Sequence, residues 1–215
     1  MHDHQAYAYG AWGLVITMVL ISVFFIVRFI PMQTRLGRRS GGALIAFIVA
    51  LFAEMYGFPL TIYLLLHFVG IRIPLDHISG HLLGDVISYS GLGNGWFIVM
   101  IISNIFLITG IWLVMTGWER VYKSQGELVT DGVYKYVRHP QYTGIFIITL
   151  GFMIQWPTLT TLILWPFVIA MYVRLAKQEE QDVLQEFPQE YREYMQRTPM
   201  FFPRLMSQRT ALTRK

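Results

Sequence analysis

Residues 132–144, GVYKYVRHPQYTG, place three tyrosines, an arginine and a histidine beside one proline, between two long apolar stretches. Arg138 can bind a carboxylate through two parallel hydrogen bonds, and His139 can donate, accept or shuttle a proton near neutral pH. Tyr134 and Tyr142 offer flat faces for a ring, together with hydroxyl groups. These side chains could bind a charged ligand that contains a ring. Tyrosine and arginine are also ordinary at membrane boundaries, so an interfacial aromatic belt is the alternative interpretation.

The proline in this stretch predicts its local backbone. The residue before a proline is pushed away from helical geometry, whereas Pro140 suits the first turn of a following helix. We therefore predict a loop that leads into a helix N-terminus, where free N–H groups attract anions.

A second polar cluster follows the last apolar run, with Arg174, Lys177, Gln178, Glu179 and Glu180 in the sequence RLAKQEE. A carboxylate there can bind an ammonium group or ribose hydroxyls, and Arg174 can bind a carboxylate. Residues five apart in a helix do not face each other, so we expect Arg174 and Glu179 to bind different parts of one ligand. For Lys177 and Gln178 we prefer a solvated helix end.

The two clusters together resemble a known family. The sequences DGVYKYVRHPQYTG and RLAKQEEQDVLQEFPQEYREYMQRTP, within residues 119–203, are similar to the isoprenylcysteine carboxyl methyltransferase family and its relatives among integral-membrane phospholipid methyltransferases. Residues 1–95 contain no comparably diagnostic pattern. The resemblance implies a protein that binds S-adenosylmethionine and transfers its methyl group to a lipophilic acceptor presented from the bilayer.

The resemblance also implies roles for individual residues. It places Arg174 and Glu179 beside the reacting centre, as catalytic residues, and Arg197 in a tail that folds over the cofactor. It assigns the cofactor pocket to Tyr134, Arg138, His139, Tyr142, Gly144, Glu180 and Tyr191. Pro188 is a departure, because relatives commonly have glycine after the preceding phenylalanine, and it makes the local cofactor contacts harder to transfer.

The chemistry of the cofactor agrees with this set of side chains. S-adenosylmethionine has an adenine ring, a ribose, a zwitterionic amino-acid end and a sulfonium, for which aromatic faces, carboxylates and an arginine are natural partners. The acceptor stays open: a prenylated or other lipophilic thiol or carboxyl compound, or a phospholipid amine. Two other classes remain as alternatives, a membrane reductase that uses a nicotinamide dinucleotide, related to sterol reductases, and a small non-enzymatic membrane protein.

Composition and apolar runs predict the elements that position these clusters. The chain has 215 residues, of which 54% are hydrophobic and 14% charged, well below the roughly 25% charged residues of soluble domains. Three runs reach the roughly 20 residues that a spanning helix needs, at about 10–30, 43–70 and 96–117. Residues 141–174 form two shorter runs around Gln155–Thr158, which predict a helical hairpin. The predicted fold is an all-α integral membrane protein with five transmembrane helices.

The distribution of basic residues predicts the topology. Sixteen of the seventeen lysines and arginines fall in the first loop, the third loop and the tail, and only Arg72 falls in the glycine-rich second loop, 71–95. By the positive-inside rule the N-terminus is outside and the C-terminus and active site are cytoplasmic, in a plasma membrane of bacterial or archaeal type. The basic residues flank apolar runs rather than forming a stripe, so no nucleic-acid partner is predicted. The oligomeric state is left open.

Two regions follow from this topology. Residues 1–95 are predicted to form the acceptor side, with the first two helices and an external loop, and residues 96–215 the cofactor-binding core. After Arg174 the chain becomes polar, and the spacing of its apolar residues predicts two short amphipathic helices, separated at Pro188, that lie along the membrane surface.

Glu54 is an ionisable residue well inside the second apolar run, a placement that is costly and points to function. We predict that Glu54 faces the bundle interior near the acceptor entrance and binds the acceptor, in a helix kinked at Gly57 and Pro59. His77 and His81 are four residues apart, but glycines surround them and we predict no metal site. The chain contains no cysteine, which excludes disulfides, cysteine metal ligands and thiol catalysis.

Overall fold

The computed structural model describes residues 11–29, 34–70 and 82–203, and every regular element within those ranges is helical. The prediction of an all-helical protein is therefore confirmed. The α-helices are α1 Trp12–Phe29, α2 Arg35–Phe52, α3 Leu60–Leu64, α4 Leu82–Tyr89, α5 Gly95–Lys123, α6 Pro140–Gln155, α7 Leu159–Glu186 and α8 Glu190–Arg197.

Three helical stretches are long and apolar enough to cross a membrane: Arg35–Gly57, Gly95–Lys123 and Leu159–Glu186. Large apolar side chains such as Phe24 and Ile108 are about two thirds or more exposed, which suits contact with lipid rather than water. These features indicate an integral membrane protein. The shorter helices α1, α3 and α6 leave the count of five spans a prediction.

The second apolar helix begins eight residues earlier than predicted, at Arg35 rather than 43. Thr34 caps it, because its hydroxyl accepts a hydrogen bond from Gly37 N at 2.9 Å. Gly37, Ser40 and Gly41 are buried, and the Ser40 hydroxyl reaches Met171 O of α7 at 3.3 Å. A glycine-rich, basic segment suggests a loop, but here its small residues let α2 and α7 approach closely.

The kink predicted at Gly57 and Pro59 is present. A π-helical turn, Ala53–Gly57, ends α2, and α3 begins after Pro59. Glu54 lies in that turn and accepts hydrogen bonds from Thr61 N at 3.0 Å and from the Thr160 hydroxyl at 3.1 Å. The carboxylate thus joins α2 and α3 to the start of α7.

Helices α5 and α6 meet through glycines. A Cβ atom at Gly144 would lie 2.6 Å from Gly110 O, and one at Gly110 would lie 2.7 Å from Gly144 O. Because no side chain fits between two backbones at that distance, glycine at these two positions sets the separation of the helices. Gly144 therefore packs against α5, which is a different position from the cofactor pocket assigned to it by resemblance.

Helices α6 and α7 are joined by a short turn at the predicted place, after Gln155. Two predictions for the surrounding segments need correction. The first of the two expected tail helices is the continuation of α7 to Glu186, and only α8 is separate, after a break at Pro188. The segment 71–95, predicted as a glycine-rich external loop, contains α4; His77 and His81 lie outside the described residues.

Candidate active site

The tail folds back over the Arg-His-Pro motif. Arg138 N donates to Pro199 O at 2.9 Å, and His139 N donates to Met200 O at 3.1 Å. The Thr143 hydroxyl adds a bond to Phe201 O at 2.9 Å. The tail thereby binds the N–H groups of the two residues that precede α6, of which only His139, the N-cap, belongs to the helix N-terminus expected to attract an anion.

The Arg138 guanidinium has partners within the protein. Its Nε donates to Glu180 Oε1 at 2.7 Å, and its Nη1 donates to Thr198 O at 2.7 Å and Met195 O at 3.2 Å. The side chain is 11% exposed and that of Glu180 8%. Arg138 therefore ties the motif to α7 and to the tail, whereas the sequence suggested that it binds a ligand carboxylate directly.

His139 lies between the two adjacent glutamates. Its Nε2 is 3.0 Å from Glu180 Oε1, and its Nδ1 is 3.8 Å from Glu179 Oε2. The imidazole stacks on the Tyr142 ring, with 5.7 Å between ring centroids, and the Tyr142 hydroxyl donates to Glu179 Oε1. The two predicted clusters thus form one hydrogen-bonded network, although they are about forty residues apart in the sequence.

The two glutamates face different surroundings. Glu180 is buried and is bonded to Arg138 and His139, whereas the Glu179 side chain is 35% exposed. Glu179 also lines a cavity of about 450 Å³ between α5, α6, α7 and α8, a volume within the range of ligand pockets. One carboxylate therefore fixes the structure, and the other is accessible to a ligand.

The cavity has aromatic walls and polar groups on several sides. The aromatic residues are Trp118, Tyr134, Tyr142, Phe187, Tyr191 and Tyr194, and the polar ones include Glu127, Gln141, Glu179 and Glu186. Tyr194 donates to Tyr134 O at 2.6 Å, and Gln141 donates to the Tyr134 hydroxyl. Burial raises the pKa of Tyr134, Tyr191 and Tyr194; like ordinary tyrosines, they are protonated at neutral pH.

Most of the predicted cofactor residues, together with Glu179, which was predicted as catalytic, meet at this cavity or in the network behind it. Tyr134, Arg138, His139, Tyr142, Glu179 and Tyr191 line the cavity, and Glu180 bonds to two of them. Trp118, Gln141, Glu127 and Glu186 were not selected from the sequence. Trp118 resembles a belt residue at the end of an apolar run, and nothing in the sequence relates the loop with Glu127 to the motif.

Three other predicted residues lie elsewhere. Arg174 is exposed and does not line the cavity, since five residues of helix turn its side chain by about 140° from Glu179. Arg197 is exposed and pairs with Glu193 at 3.8 Å. Gly144 faces Gly110. The catalytic role of Arg174 and the cofactor role of Arg197 stay predictions, and neither side chain lines the cavity.

Glu54 is buried, as expected, but far from the cavity. Its partner Thr160 precedes Glu179 by nineteen residues of α7, a distance of about 29 Å along a helix. Its contacts join helices at the opposite end of the bundle. Acceptor binding by Glu54 stays a prediction, and the contacts favour a structural role instead.

A second cavity adjoins the first. It is an apolar cleft of about 300 Å³ between α1, α2, α5 and α6, lined by residues that include Ile26, Ile48, Val114, Trp118, Ile148 and Phe152. The hydroxyls of its two polar residues donate within their own helices, Ser22 to Met18 O and Thr149 to Ile145 O, and the Thr149 hydroxyl also accepts a hydrogen bond from Trp165 Nε1 of α7 at 3.0 Å. Trp118 lines both the cleft and the polar cavity, so that one indole separates the two spaces.

Comparison with a family model gives one match. Residues 95–185, which contain α5, the Arg-His-Pro motif, the hairpin and the Glu179–Glu180 pair, match the model described as the isoprenylcysteine carboxyl methyltransferase family.

Several curated proteins are similar over longer stretches. A nickel-cobalt-cadmium resistance protein from Alcaligenes xylosoxydans xylosoxydans is 31% identical over 155 residues, 68% of this chain and 70% of that protein. A methanethiol S-methyltransferase from Crocosphaera subtropica is 31% identical over 127 residues, 57% of this chain and 49% of that enzyme. A protein-S-isoprenylcysteine O-methyltransferase from Arabidopsis thaliana is 27% identical over 132 residues, 56% of this chain and 67% of that enzyme.

Proposed function

Since the chain belongs to the isoprenylcysteine carboxyl methyltransferase family and is a methyltransferase, we propose that it transfers the methyl group of S-adenosylmethionine to a lipophilic acceptor that enters from the bilayer. The cofactor occupies the polar cavity, and the hydrocarbon part of the acceptor occupies the apolar cleft. The supporting observation is that the two spaces meet at Trp118.

The side chains around the polar cavity suit S-adenosylmethionine. Tyrosine faces and the Trp118 indole suit a flat adenine ring and attract a cation over their faces. Glu179, with its partly exposed carboxylate, suits the positive sulfonium or the ammonium group. The ligand carboxylate has no free guanidinium in the described cavity wall, because Arg138 is bonded to Glu180 and the tail.

S-adenosylmethionine, when bound, supplies an electrophilic methyl group, which moves in line from sulfur to the acceptor and leaves S-adenosylhomocysteine. The protein's part in such a displacement is to position the two reactants and to exclude water. The Arg138–Glu180–His139 network fixes the entry to α6, and with it the Tyr142 ring. Tyr191 and Tyr194 of α8 close one side of the cavity.

The shape of the cleft favours an acceptor with a hydrocarbon chain. A cleft of about 300 Å³ is far larger than a one-carbon thiol requires. Among the activities that the relatives are named for, carboxyl methylation of an isoprenylcysteine suits it better than methylation of methanethiol. We further propose that the chain crosses the membrane five times with its N-terminus outside, which places the cavity at the cytoplasmic surface.

The chain preference can be tested with a labelled methyl donor and two acceptors that differ only in the group on sulfur, N-acetyl-S-farnesylcysteine and N-acetyl-S-methylcysteine. Burial of only two methylene-sized groups of the farnesyl chain contributes about 1.6 kcal/mol, which changes a binding constant more than tenfold. We therefore expect kcat/KM to be at least about tenfold higher for the farnesyl compound.

Filling the cleft provides the matched test. Ile48→Trp, inside the cleft, should lower kcat/KM for the farnesyl compound without weakening S-adenosylhomocysteine binding. Ile108→Trp, the same change at a lipid-exposed position of α5, should leave both unchanged. Equal transfer to both acceptors, or loss of cofactor binding in Ile48→Trp alone, would contradict the assignment of the cleft.

A further inference from the structure

A groove of about 1100 Å³ lies outside the cofactor cavity, along the last turns of α5, residues 124–137 and the start of α6. Its apolar end is lined by Trp112, Leu113 and Ile147, within the helices. Phe202 and Pro203 border it. The groove therefore extends from the hydrocarbon zone of α5 and α6 to the end of the bundle that carries the Arg-His-Pro motif.

The other end of the groove is cationic. Arg120, Lys123 and Lys135 line it together with only two carboxylates, Glu119 and Asp131. Arg120 pairs with Asp131 and Lys123 with Glu119, but all four side chains are about half exposed or more, and such pairs contribute little. Lys135 is exposed and has no ion-pair partner within the described ranges.

Aromatic side chains mark the level of the membrane surface around this groove. Tyr136, which lines the groove, is 64% exposed, and Tyr122, next to Lys123, is 86% exposed. Tryptophan and tyrosine are enriched where hydrocarbon meets headgroups. The apolar end of the groove thus lies at acyl-chain depth and its cationic end at headgroup depth.

From this arrangement we propose that the groove binds one anionic phospholipid of the leaflet on the cavity's side, with its phosphate at Lys135 and Lys123 and an acyl chain along Trp112 and Ile147. The C-terminal residues 204–215 do not complement the groove, because they contain four basic residues and no acidic one. A second cationic segment would be repelled by the groove's cationic end.

The groove and the cofactor cavity share a wall. Ser124, Leu128 and Val129 line both, and Lys135 directly follows Tyr134 of the cavity wall. A bound phospholipid therefore supports, from outside, the loop that closes the cofactor cavity. This links the lipid composition of the membrane to the stability of the site.

The proposal predicts selective lipid retention by the purified protein. In micelles that contain equal amounts of phosphatidylglycerol and phosphatidylcholine with the same acyl chains, native mass spectrometry should show enrichment of phosphatidylglycerol. Lys135→Gln should reduce that enrichment about five-fold, the effect of one lysine near an anionic surface. Lys177→Gln is the matched control, since Lys177 is exposed on α7 and does not line the groove.

Four results would overturn the proposal. One is equal retention of the two lipids by the unmodified protein. Another is an equal loss in Lys177→Gln, which would mean a response to net charge alone. The third is loss of enrichment in a chain that ends at Pro203, which would assign the selectivity to the basic tail. Soluble glycerol phosphate at the same concentration should not compete; if it does, the site binds phosphate and not a phospholipid. These readouts need no methyl transfer and stand apart from the proposed activity.

Discussion

Glu179 and Glu180 are adjacent in the chain, yet their contacts predict different consequences when each is replaced. Glu180 is 8% exposed and bonds to both Arg138 and His139. Removal of one partner from a buried ion pair costs about 3–5 kcal/mol, because the other charge is left without compensation. We expect Glu180→Ala to lower the Tm of the detergent-purified protein strongly, by a loss on the order of 3 kcal/mol in the free energy of unfolding.

The control for this change is Glu193→Ala, which removes a surface pair whose side chains are 75% and 73% exposed. Exposed pairs of this kind contribute little, so its Tm should stay close to that of the unmodified protein. Similar Tm losses in both variants would show that Glu180 is not part of a stabilising network.

Glu179→Gln should have the opposite effect: it should change ligand binding but not thermal stability. The glutamine amide keeps an oxygen that can accept the hydrogen bond from the Tyr142 hydroxyl, so we expect a nearly unchanged Tm. The loss of negative charge should weaken binding of S-adenosylmethionine, which carries a sulfonium, more than that of S-adenosylhomocysteine, which does not. Binding of both compounds measured by titration calorimetry checks this, and an unchanged affinity ratio would remove Glu179 from the sulfonium site.

Part of the site could be predicted from the sequence. His139, Tyr142 and Glu180 were expected in one pocket because the resemblance to the family places all three there. Arg138 and Arg174 were both expected to bind ligand, and residue type cannot tell a ligand-binding arginine from one that bonds to its own chain. In the structure, Arg138 donates hydrogen bonds to the carbonyl oxygens of Met195 and Thr198, so it bonds to its own chain. No local sequence pattern predicts that the tail folds back to this position.

At the scale of helices, the contact between α5 and α6 depends on Gly110 and Gly144. A methyl group at Gly144 would lie 2.6 Å from a backbone oxygen and 2.7 Å from Val114 Cγ2. Since a backbone cannot move aside as a flexible side chain can, Gly144→Ala should separate the helices and cost about 1–3 kcal/mol. Thermal unfolding in detergent measures this cost.

Gly42→Ala is the matched control in α2, where an added methyl group has nothing within 4 Å. Alanine exceeds glycine in helix propensity by up to about 1 kcal/mol, so this variant should be as stable as the unmodified protein or slightly more so. A Gly144→Ala protein with the same Tm as Gly42→Ala would contradict the close approach of α5 and α6.

The limits of prediction at this scale follow from packing. Apolar runs predicted the hairpin and the kink at Pro59, because proline and length act locally. They did not predict the first turns of α2, because glycine and arginine favour a loop there. The contact between Ser40 and Met171 of α7, which lies far away in the sequence, is not visible in the apolar runs. Likewise α7 extends through its charged end to Glu186, since one face continues to pack on the motif and the tail while the other is solvated.

For the whole molecule, the placement of basic residues predicts which ends of the helices are cytoplasmic. The absence of cysteine from the sequence permits single-cysteine labelling without background. We expect a membrane-impermeant thiol reagent to label Leu92→Cys, before α5, in intact cells. Thr130→Cys, after α5, should be labelled only once the membrane is opened. The reverse pattern would place the cavity on the outer surface.

Binding of S-adenosylhomocysteine to the purified protein, measured against NADPH as a shift in Tm, tests the central claim most directly. A ligand that binds only the folded state at 100 times its Kd stabilises it by about 2.7 kcal/mol. The proposed cofactor site predicts a clear, concentration-dependent rise in Tm with S-adenosylhomocysteine and none with NADPH. A rise with NADPH alone would contradict the assignment of the cavity and favour a reductase.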